Sequence, residues 1–152
     1  MENPILTWEI KPFNALSLDE LYKILQLRQE VFVLEQACVY NDLDDKDRKS
    51  AHLMAWHGDA LAAYTRLIPC GISYLDAVGI GRVIVARKFR GKGVGKELMV
   101  RSIEGAQDFF GRHPIKIGAQ QHLKTFYNRL GFEQTSEPYL DAGIAHIEMT
   151  RL

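Results

Sequence analysis

Apolar side chains recur along the chain at regular spacings, and each spacing predicts one kind of element. Steps of three and four residues predict an amphipathic helix over residues 18–32, with an inner face made of Leu18, Leu21, Leu25, Arg28 and Phe32. Ser17 before this helix and Glu20 within its first turn form the pattern of a capping box. The same spacing predicts a second helix over residues 94–110, with an inner face made of Val94, Leu98, Ser102, Ala106 and Phe109.

Shorter apolar runs with turn residues at their ends predict the strands of a sheet. In chain order these strands lie at residues 7–10, in a hairpin over 52–68, at 78–86, at 115–119, from Phe132 onward and at 144–152. The hairpin turns at Gly58 and Asp59, and a short helix over residues 122–130 is ended by Gly131 in the C′ position. Strands interleaved with helices in this order predict a mixed α/β fold.

The turn between the strand at 78–86 and the helix at 94–110 combines small residues with positive charge. Its glycines are Gly91, Gly93 and Gly95, and its cations are Arg87, Lys88, Arg90, Lys92 and Lys96. Glycine allows positive φ and close approach of the backbone, so several N–H groups can point into one concavity. The helix that follows adds the positive end of its dipole. This turn is therefore predicted to bind an anion with several oxygens, with Arg90 and Lys92 at the rim.

The spacing of these glycines excludes two common phosphate-binding motifs. A Walker loop requires Gly where Arg90 stands, and it requires Ser or Thr, which holds magnesium, where Glu97 stands. A dinucleotide-binding fingerprint requires its third Gly where Lys96 stands, and it normally belongs to the first βαβ unit of a chain. The turn must therefore belong to another class of anion-binding loop.

Composition narrows the class of protein. A chain of 152 residues fits one domain, 1–152, because domains run to about 100–200 residues. The net charge of zero argues against a general nucleic-acid coat and a polybasic membrane binder. The N-terminal stretch MENPILTWEIKP has no long apolar run, so we expect no signal peptide, no membrane span and a cytoplasmic location. Cys38 and Cys70 are too few and too far apart for a disulfide framework, and we expect reduced thiols.

Residues 90–95, Arg-Gly-Lys-Gly-Val-Gly, match the Arg/Gln-x-x-Gly-x-Gly/Ala signature of the GNAT acetyltransferases, and the chain resembles that family. FYNRLGF at 126–132 is similar to the family's aromatic-Tyr-x-x-x-Gly-Phe element. The stretches that resemble the ElaA-like subgroup are LYKILQLRQEVFVLEQACVY, GAQQHLKTFYNRLGF and YLDAGIAHIEM. The resemblance implies the GNAT, or acyl-CoA N-acyltransferase, fold over nearly the whole chain: a mixed, mostly antiparallel central sheet flanked by helices.

The resemblance also implies an acetyl-CoA-dependent N-acetyltransferase that acts on the primary amine of a small molecule or peptide. The end of the fourth strand would offer backbone groups to the pantetheine arm, at Val83, Ile84 and Val85. The pyrophosphate would be wrapped by Arg90, Gly91, Lys92, Gly93, Val94, Gly95 and Lys96. Tyr127 takes the place of the tyrosine beside the cofactor sulfur, which is usually described as a general acid. Gln120 stands where the family often has Asn, and Arg87 replaces a frequent Pro.

Acetyl transfer to an amine requires a base and stabilisation of the leaving thiolate. The candidate bases are Glu35, His122, His146, Glu148 and a chain of water molecules. His146 and Glu148 lie on one face of the last strand, because residues two apart share a face. A phenol gives its proton to a thiolate uphill, by about 2 kcal/mol at ordinary pKa values, so hydrogen-bond donation by Tyr127, or a phenol with a shifted pKa, is favoured over free proton transfer. The histidines and cysteines lack metal-ligand spacing, so no metal is predicted.

Several features of the sequence are open to two interpretations. The acidic segment NDLDDKDRKS at 41–50 is either a solvated loop or a substrate-facing loop that attracts cationic acceptors. Arg28, Glu30, Glu35 and Gln36 either line the acceptor pocket or form a salt-bridged helix end. A non-catalytic acyl-CoA-binding module is an alternative that Tyr127 argues against. A nucleic-acid-binding domain that uses residues 87–96 is a second alternative, and the zero net charge argues against it. We therefore expect no nucleic-acid or membrane partner. We expect the protein to be a monomer or a homodimer.

Overall fold

The computed structural model describes residues 4–152. The first three residues of the N-terminal stretch, which was predicted to lack a signal peptide, lie outside the described residues. The strands are β1 (Thr7–Pro12), β2 (Ala51–His57), β3 (Ala60–Ile68), β4 (Val78–Val85), β5 (Ile115–Gln120), β6 (Glu133–Gln134), β7 (Tyr139–Asp141) and β8 (Ile144–Arg151). The α-helices are α1 (Leu18–Arg28), α2 (Val94–Phe110) and α3 (Lys124–Asn128). The strands form one sheet in the order β1-β2-β3-β4-β5-β8-β6, and β7 also pairs with β8. The predicted mixed α/β sheet is confirmed.

One junction in the sheet creates an opening. All strand pairs among residues 4–152 are antiparallel except β4 and β5, which run parallel. These two strands pair only at Val78 with Ile115 and at Gly79 with Lys116. Past Gly79 the two strands are no longer paired, and the edge of β4 that faces β5 has no strand partner. Its backbone groups are therefore available to an extended ligand.

Helices cover both faces of the sheet. On one face, Ile24 and Leu27 of α1 pack in a buried cluster with Met54, Tyr64 and Ile84 of β2–β4. On the other face, Val94 and Leu98 of α2 pack on side chains of β2 and β3, and Met99 and Ile103 join the larger core cluster. That cluster also includes Tyr127 of α3 and Ile147 and Met149 of β8. The alternate residues of β8, His146 and Glu148, consequently face away from this core.

The predicted inner faces of the helices are only partly correct. In the first helix the fully or largely buried residues are Ile24, Leu27, Arg28 and Val31, whereas Leu18 is 89% exposed. Two adjacent apolar stripes run along this segment, and contact with the sheet selects the one through Ile24. The helix continues past Arg28 as a π-helical segment, Gln29–Glu35. In α2 the predicted Phe109 is 45% exposed, and Phe110 packs on the core instead.

Local signals placed the helix ends and the hairpin correctly. The capping box is present, since Ser17 Oγ accepts from the Glu20 N–H at 3.0 Å and the Glu20 carboxylate accepts from the Ser17 N–H at 2.8 Å. Gly131 has φ +91°, and the Phe132 N–H donates to the Tyr127 carbonyl at 3.2 Å, which is a Schellman-type helix end. The strand β7 was missed because its three residues are too few to show a period.

Two simpler observations concern the chain as a whole. Cys38 and Cys70 form no disulfide, as expected. Among residues 4–152, every helix is too short or too polar to cross a lipid bilayer.

Candidate active site

The opening between β4 and β5 leads into a cleft of about 830 Å³. Its walls come from the end of β4, from Gln120 of β5 and from Phe126 and Tyr127 of α3. The π-helical segment and the β7–β8 hairpin close the opposite side. Cys38 Sγ lies 3.3 Å from the Ala142 carbonyl oxygen, so the turn that follows the π-helical segment touches the β7–β8 hairpin. Residues that are distant in sequence therefore meet around one cavity.

The predicted pantetheine-binding stretch follows an irregularity in β4. The register between β3 and β4 shifts between Tyr64 and Arg66, and Arg82 takes φ +50°, a value that side chains rarely adopt. Such a bulge bends a strand and redirects its backbone groups. Val83, Ile84 and Val85 come directly after the bulge and line the cleft. The predicted pantetheine-binding residues therefore lie on the wall of the cavity.

The glycine loop has the geometry of an anion-binding turn. Gly91 and Gly93 have φ values of +78° and +75°, and a Cβ atom at either position would meet nothing within 4 Å. Gly93 precedes α2, and among the described residues no side chain caps the helix start. The first N–H groups of α2 are thus free of side-chain partners and point where the helix dipole favours negative charge. Gly95, in the first turn, lines the cleft.

The side chain of Arg90 is engaged within the protein. Its guanidinium makes two hydrogen bonds to the Glu35 carboxylate, at 3.0 and 2.8 Å, and its Nε donates to the Val85 carbonyl at 2.8 Å. Arg87 also pairs with Glu35, at 2.9 Å. The structure therefore holds the Arg90 guanidinium on Glu35 at the wall of the cleft, and the predicted contact of Arg90 with the cofactor stays a prediction. This pair ties the π-helical segment to the glycine loop.

The same contacts weaken Glu35 as a candidate base. The hydrogen bonds from Arg90, followed by those from Arg87, outweigh partial burial and lower the pKa of Glu35 below its ordinary value. A carboxylate with a lowered pKa accepts a proton less readily. Of the two sequence interpretations of this region, the salt-bridged helix end describes Glu35.

The ring of Tyr127 packs in the core, and the residue also lines the cleft. The side chain is 6% exposed, and its ring makes edge-to-face contacts with Phe126 and Phe132. Its hydroxyl makes no hydrogen bond to any residue between 4 and 152, although the residue lines the cleft. Burial raises the pKa of Tyr127 to about 12. Proton transfer to a thiolate of ordinary pKa would then cost about 5 kcal/mol, which leaves hydrogen-bond donation as the favourable role.

The other candidate bases occupy different surroundings. His146 lines the cleft and pairs across the sheet with Gln120, which also lines it. His122 lines the cleft from the exposed turn after β5. Glu148 shares a strand face with His146, as predicted, but it is not among the lining residues and accepts a hydrogen bond from Thr135 at 2.8 Å. The histidines are thus better placed than the carboxylates.

Tyr139 is a cleft residue that the sequence analysis did not identify. Its ring stacks on that of His146, with centroids 5.9 Å apart and an interplanar angle of 26°. The stack depends on pairing between β7 and β8, which places Tyr139 opposite His146. The Ala142-Gly143 turn between these strands lacks the Asn-Gly or Asp-Gly signal of a hairpin, so the hairpin could not be identified from its turn residues.

The acidic segment is neither of the two loops that the sequence suggested. Asp42, Asp44 and Asp47 pair with three arginines from other elements, Arg28, Arg66 and Arg82, at 2.6–3.4 Å. Arg28 is fully buried and Arg66 is 2% exposed. Burial raises the pKa of Asp44, but Arg66 outweighs this and lowers it to about 2. These carboxylates neutralise buried arginines, and Asp45, 92% exposed, is the solvated member.

Asp47→Asn is expected to destabilise the protein by about 1.5–3 kcal/mol at neutral pH, because it removes the buried carboxylate that Arg28 and Arg66 share and leaves them only the partly exposed Asp42 and Asp44. The arginines outweigh burial and lower the pKa of Asp47 in the folded state. Its stabilisation is therefore present above the unfolded-state pKa of about 4 and is lost as pH falls through the lower folded value. Urea unfolding of both proteins from pH 7 to pH 2 should show the gap closing in acid.

Asp45→Asn is the matched control, since its pair with Arg48 is exposed and such pairs contribute little. It should unfold like the parent at every pH. Equal stability of Asp47→Asn and Asp45→Asn at pH 7 would contradict the structural role of the cluster.

Among residues 4–152, no group of three or more His, Cys, Asp or Glu side chains is arranged to hold a metal ion. The sequence-based expectation of a metal-free reaction stays a prediction. The expected extent of the domain, 1–152, and the expected roles of the individual site residues also stay predictions.

Comparisons with known proteins agree with this geometry. A family model described as an acetyltransferase (GNAT) domain matches residues 17–152. Protein ElaA of Escherichia coli (strain K12) is 40% identical over 149 residues, which cover 97% of each chain. The crystal structure of Escherichia coli ElaA has a TM-score of 0.91 and 39% identity, covering 97% of this chain and 100% of that one.

Two further structures extend the comparison. An acyl-CoA N-acyltransferase from Pseudomonas aeruginosa has a TM-score of 0.93 and 41% identity, covering 97% of this chain and 100% of that one. A more distant GNAT family acetyltransferase from Elizabethkingia anophelis, crystallised with acetyl-CoA bound, has a TM-score of 0.63 and 18% identity. It covers 96% of this chain and 97% of its own, and at that identity it shows a shared fold.

Proposed function

Because this chain belongs to the GNAT acetyltransferase family, we propose that it transfers the acetyl group of acetyl-CoA to a primary amine of a small molecule or peptide. One observation carries the proposal: a single cleft is lined by the free edge of β4, by Gly95 of the glycine loop and by Tyr127. An acyl-CoA has an extended arm, an anionic pyrophosphate and a reactive sulfur. Each of these has a matching wall in the cleft.

The protein groups divide the reaction between them. Backbone groups at the end of β4 hold the pantetheine arm, and an N–H near Val85 polarises the thioester carbonyl as oxyanion-hole donors do. The amine nitrogen attacks the carbonyl carbon, the carbon–sulfur bond breaks, and the Tyr127 hydroxyl donates a hydrogen bond to the leaving thiolate. The products are an amide, CoA thiol and one proton released from the acceptor ammonium.

Among residues 4–152, the acidic segment contributes a single carboxylate to the cleft. Asp44 lines the cleft, but its oxygens are hydrogen-bonded to Arg66. Lys46 also lines it and donates to Ser73 Oγ at 3.0 Å. The preference for cationic acceptors that a substrate-facing acidic loop would give is therefore not part of the proposal. The acceptor is defined by its primary amine alone.

Purified protein mixed with acetyl-CoA and a panel of primary amines is expected to release free thiol with at least one amine. The panel should include amino acids, polyamines, peptide N-termini and lysine side chains, and acetyl-CoA without an amine gives the background. CoA or acetyl-CoA should also raise the melting temperature saturably, because a ligand bound by the native state stabilises it.

The two measurements separate the alternatives. A saturable thermal shift without thiol release for any amine would favour the non-catalytic acyl-CoA-binding module. Salt-dependent binding of RNA without a thermal shift by CoA would favour the nucleic-acid-binding alternative.

A further inference from the structure

We infer that His146 is the general base of the reaction and that it takes the acceptor's proton through Nε2. The inference rests on the proposed function, because a base is required only if the acceptor is an ammonium that must lose a proton before it attacks. It follows from four features of the ring: its tautomer, its support, its position relative to the other candidates and its charged surroundings.

The tautomer of His146 is fixed by one short contact. Its Nδ1 lies 2.7 Å from the backbone carbonyl oxygen of Ile144. A carbonyl oxygen only accepts, so Nδ1 must carry the hydrogen in the neutral ring. Nε2 is then the nitrogen with the free lone pair. No protein group between residues 4 and 152 forms a hydrogen bond with Nε2.

The orientation of the His146 ring is stabilised by an aromatic ring stacked on its face. Tyr139 stacks on it, and the two residues are direct partners in the β7–β8 ladder. The Tyr139 hydroxyl lies over Gly118 of β5, only 2.9 Å from where a Cβ atom would stand. Any side chain at position 118 would displace Tyr139. Glycine here leaves room for the ring that holds His146, which gives residue 118 a role in the site.

The competing bases are engaged or misplaced. Glu35 is held by Arg87 and Arg90, which lower its pKa. Glu148 accepts from Thr135 and is not a lining residue of the cleft. His122 lines the cleft, but it lies on an exposed turn, and no hydrogen bond to residues 4–152 fixes its tautomer. His146 alone among the four combines a place in the cleft with a fixed, unprotonated nitrogen.

The charged and titratable groups beside His146 come from its own strand and from β7. On β7, Tyr139 stacks on the ring, and Asp141 lies two residues further along the strand. On its own strand, Glu148 shares its face, and on β5 its partner Gln120 is neutral. Burial, followed by the negative charges of Asp141 and Glu148, raises the pKa of Tyr139. The stacked phenol therefore stays neutral and places no charge of its own against the imidazole ring.

The proton balance of the step is complete. The acceptor ammonium gives one proton to His146 Nε2, and the resulting amine forms the new carbon–nitrogen bond. The carbon–sulfur bond breaks toward sulfur, and the nitrogen's remaining excess proton ends on the CoA thiolate. His146 returns its proton to solvent at the open side of the cleft. No oxidant, metal or further reactant is needed.

The test replaces the base while keeping its surroundings. His146→Asn keeps an amide N–H for the Ile144 carbonyl, and His146→Phe keeps the aromatic stack with Tyr139. Each is expected to lower kcat/KM by about 10²–10⁴-fold with an acceptor found in the amine panel. The rise in melting temperature with CoA should stay at the parent's value. His113→Phe, at an exposed histidine outside the cleft, is the matched control.

The pH profile separates a base from a purely structural residue. In the parent, kcat/KM should rise with pH and level off once the imidazole is deprotonated. In both variants it should rise without that plateau up to the pKa of the acceptor's own ammonium. A parent-like profile in a folded variant would overturn the role of His146. So would an imidazole nitrogen NMR spectrum that shows the proton on Nε2 instead of Nδ1.

Failure of the proposed function looks different. If the parent releases no thiol with any amine, the transferase proposal falls and the base falls with it. If the parent is active and the two His146 variants match it, only the assignment of the base is wrong.

Discussion

Gly93→Asp is expected to abolish the rise in melting temperature that CoA produces. At a ligand concentration of about one hundred times Kd, binding adds about 2.7 kcal/mol, or roughly 5–10 °C for a chain of this size. The new side chain would enter open space in front of the loop, since a Cβ at Gly93 meets no atom within 4 Å. That space is where phosphate oxygens belong, and a carboxylate there repels them. Differential scanning fluorimetry with increasing CoA measures the effect.

Two further variants divide the effect into its causes. Gly93→Asn has nearly the same shape without the charge, so it should keep part of the CoA shift and pay the same backbone cost at φ +75°. Gly58→Asp makes the same substitution at φ +60°, also in open space, in the β2–β3 turn, none of whose residues lines the cleft. It should keep the full shift. A normal CoA shift in folded Gly93→Asp would refute the assignment of the loop.

The glycine loop and the helices could be predicted because their signals are local. The α2 helix covers the predicted residues, and Gly131 ends α3 through its own backbone conformation. A capping box is likewise read within four residues, and it formed at Ser17 and Glu20. Such features depend on neighbours in the chain, which the sequence displays directly.

The roles of charged residues could not be predicted in the same way, because their partners are remote. Arg66 and Arg82 reach Asp44 across 22 and 38 residues of chain, and Arg90 reaches Glu35 across 55. An acidic run therefore has the same appearance whether it is solvated or neutralises buried arginines. The surroundings of His146 could not be predicted either, because they depend on the pairing of β7 with β8 and on the space above Gly118.

Tyr127→Phe is expected to lower kcat by about 10²–10³-fold while leaving the CoA-dependent thermal shift unchanged. The hydroxyl makes no hydrogen bond to residues 4–152, so its removal strands no protein partner. The ring keeps its contacts with Phe126 and Phe132, and stability should hardly change. A hydrogen bond to the thiolate strengthens as the carbon–sulfur bond breaks, so its loss appears in kcat more than in KM.

The raised pKa of Tyr127 makes this experiment informative about mechanism as well as role. With a pKa of about 12, the phenol stays protonated across the working pH range. The pH profile of kcat in the parent should therefore show no fall below pH 11 that is due to Tyr127 and disappears in Tyr127→Phe. Tyr22→Phe, on the exposed outer side of α1, loses the same hydroxyl far from the cleft and should match the parent. Equal kcat for Tyr127→Phe and the parent, with an acceptor for which chemistry is rate-limiting, would reject the role. Loss of an alkaline limb near neutral pH would instead identify proton transfer from a phenol whose pKa falls when acetyl-CoA binds.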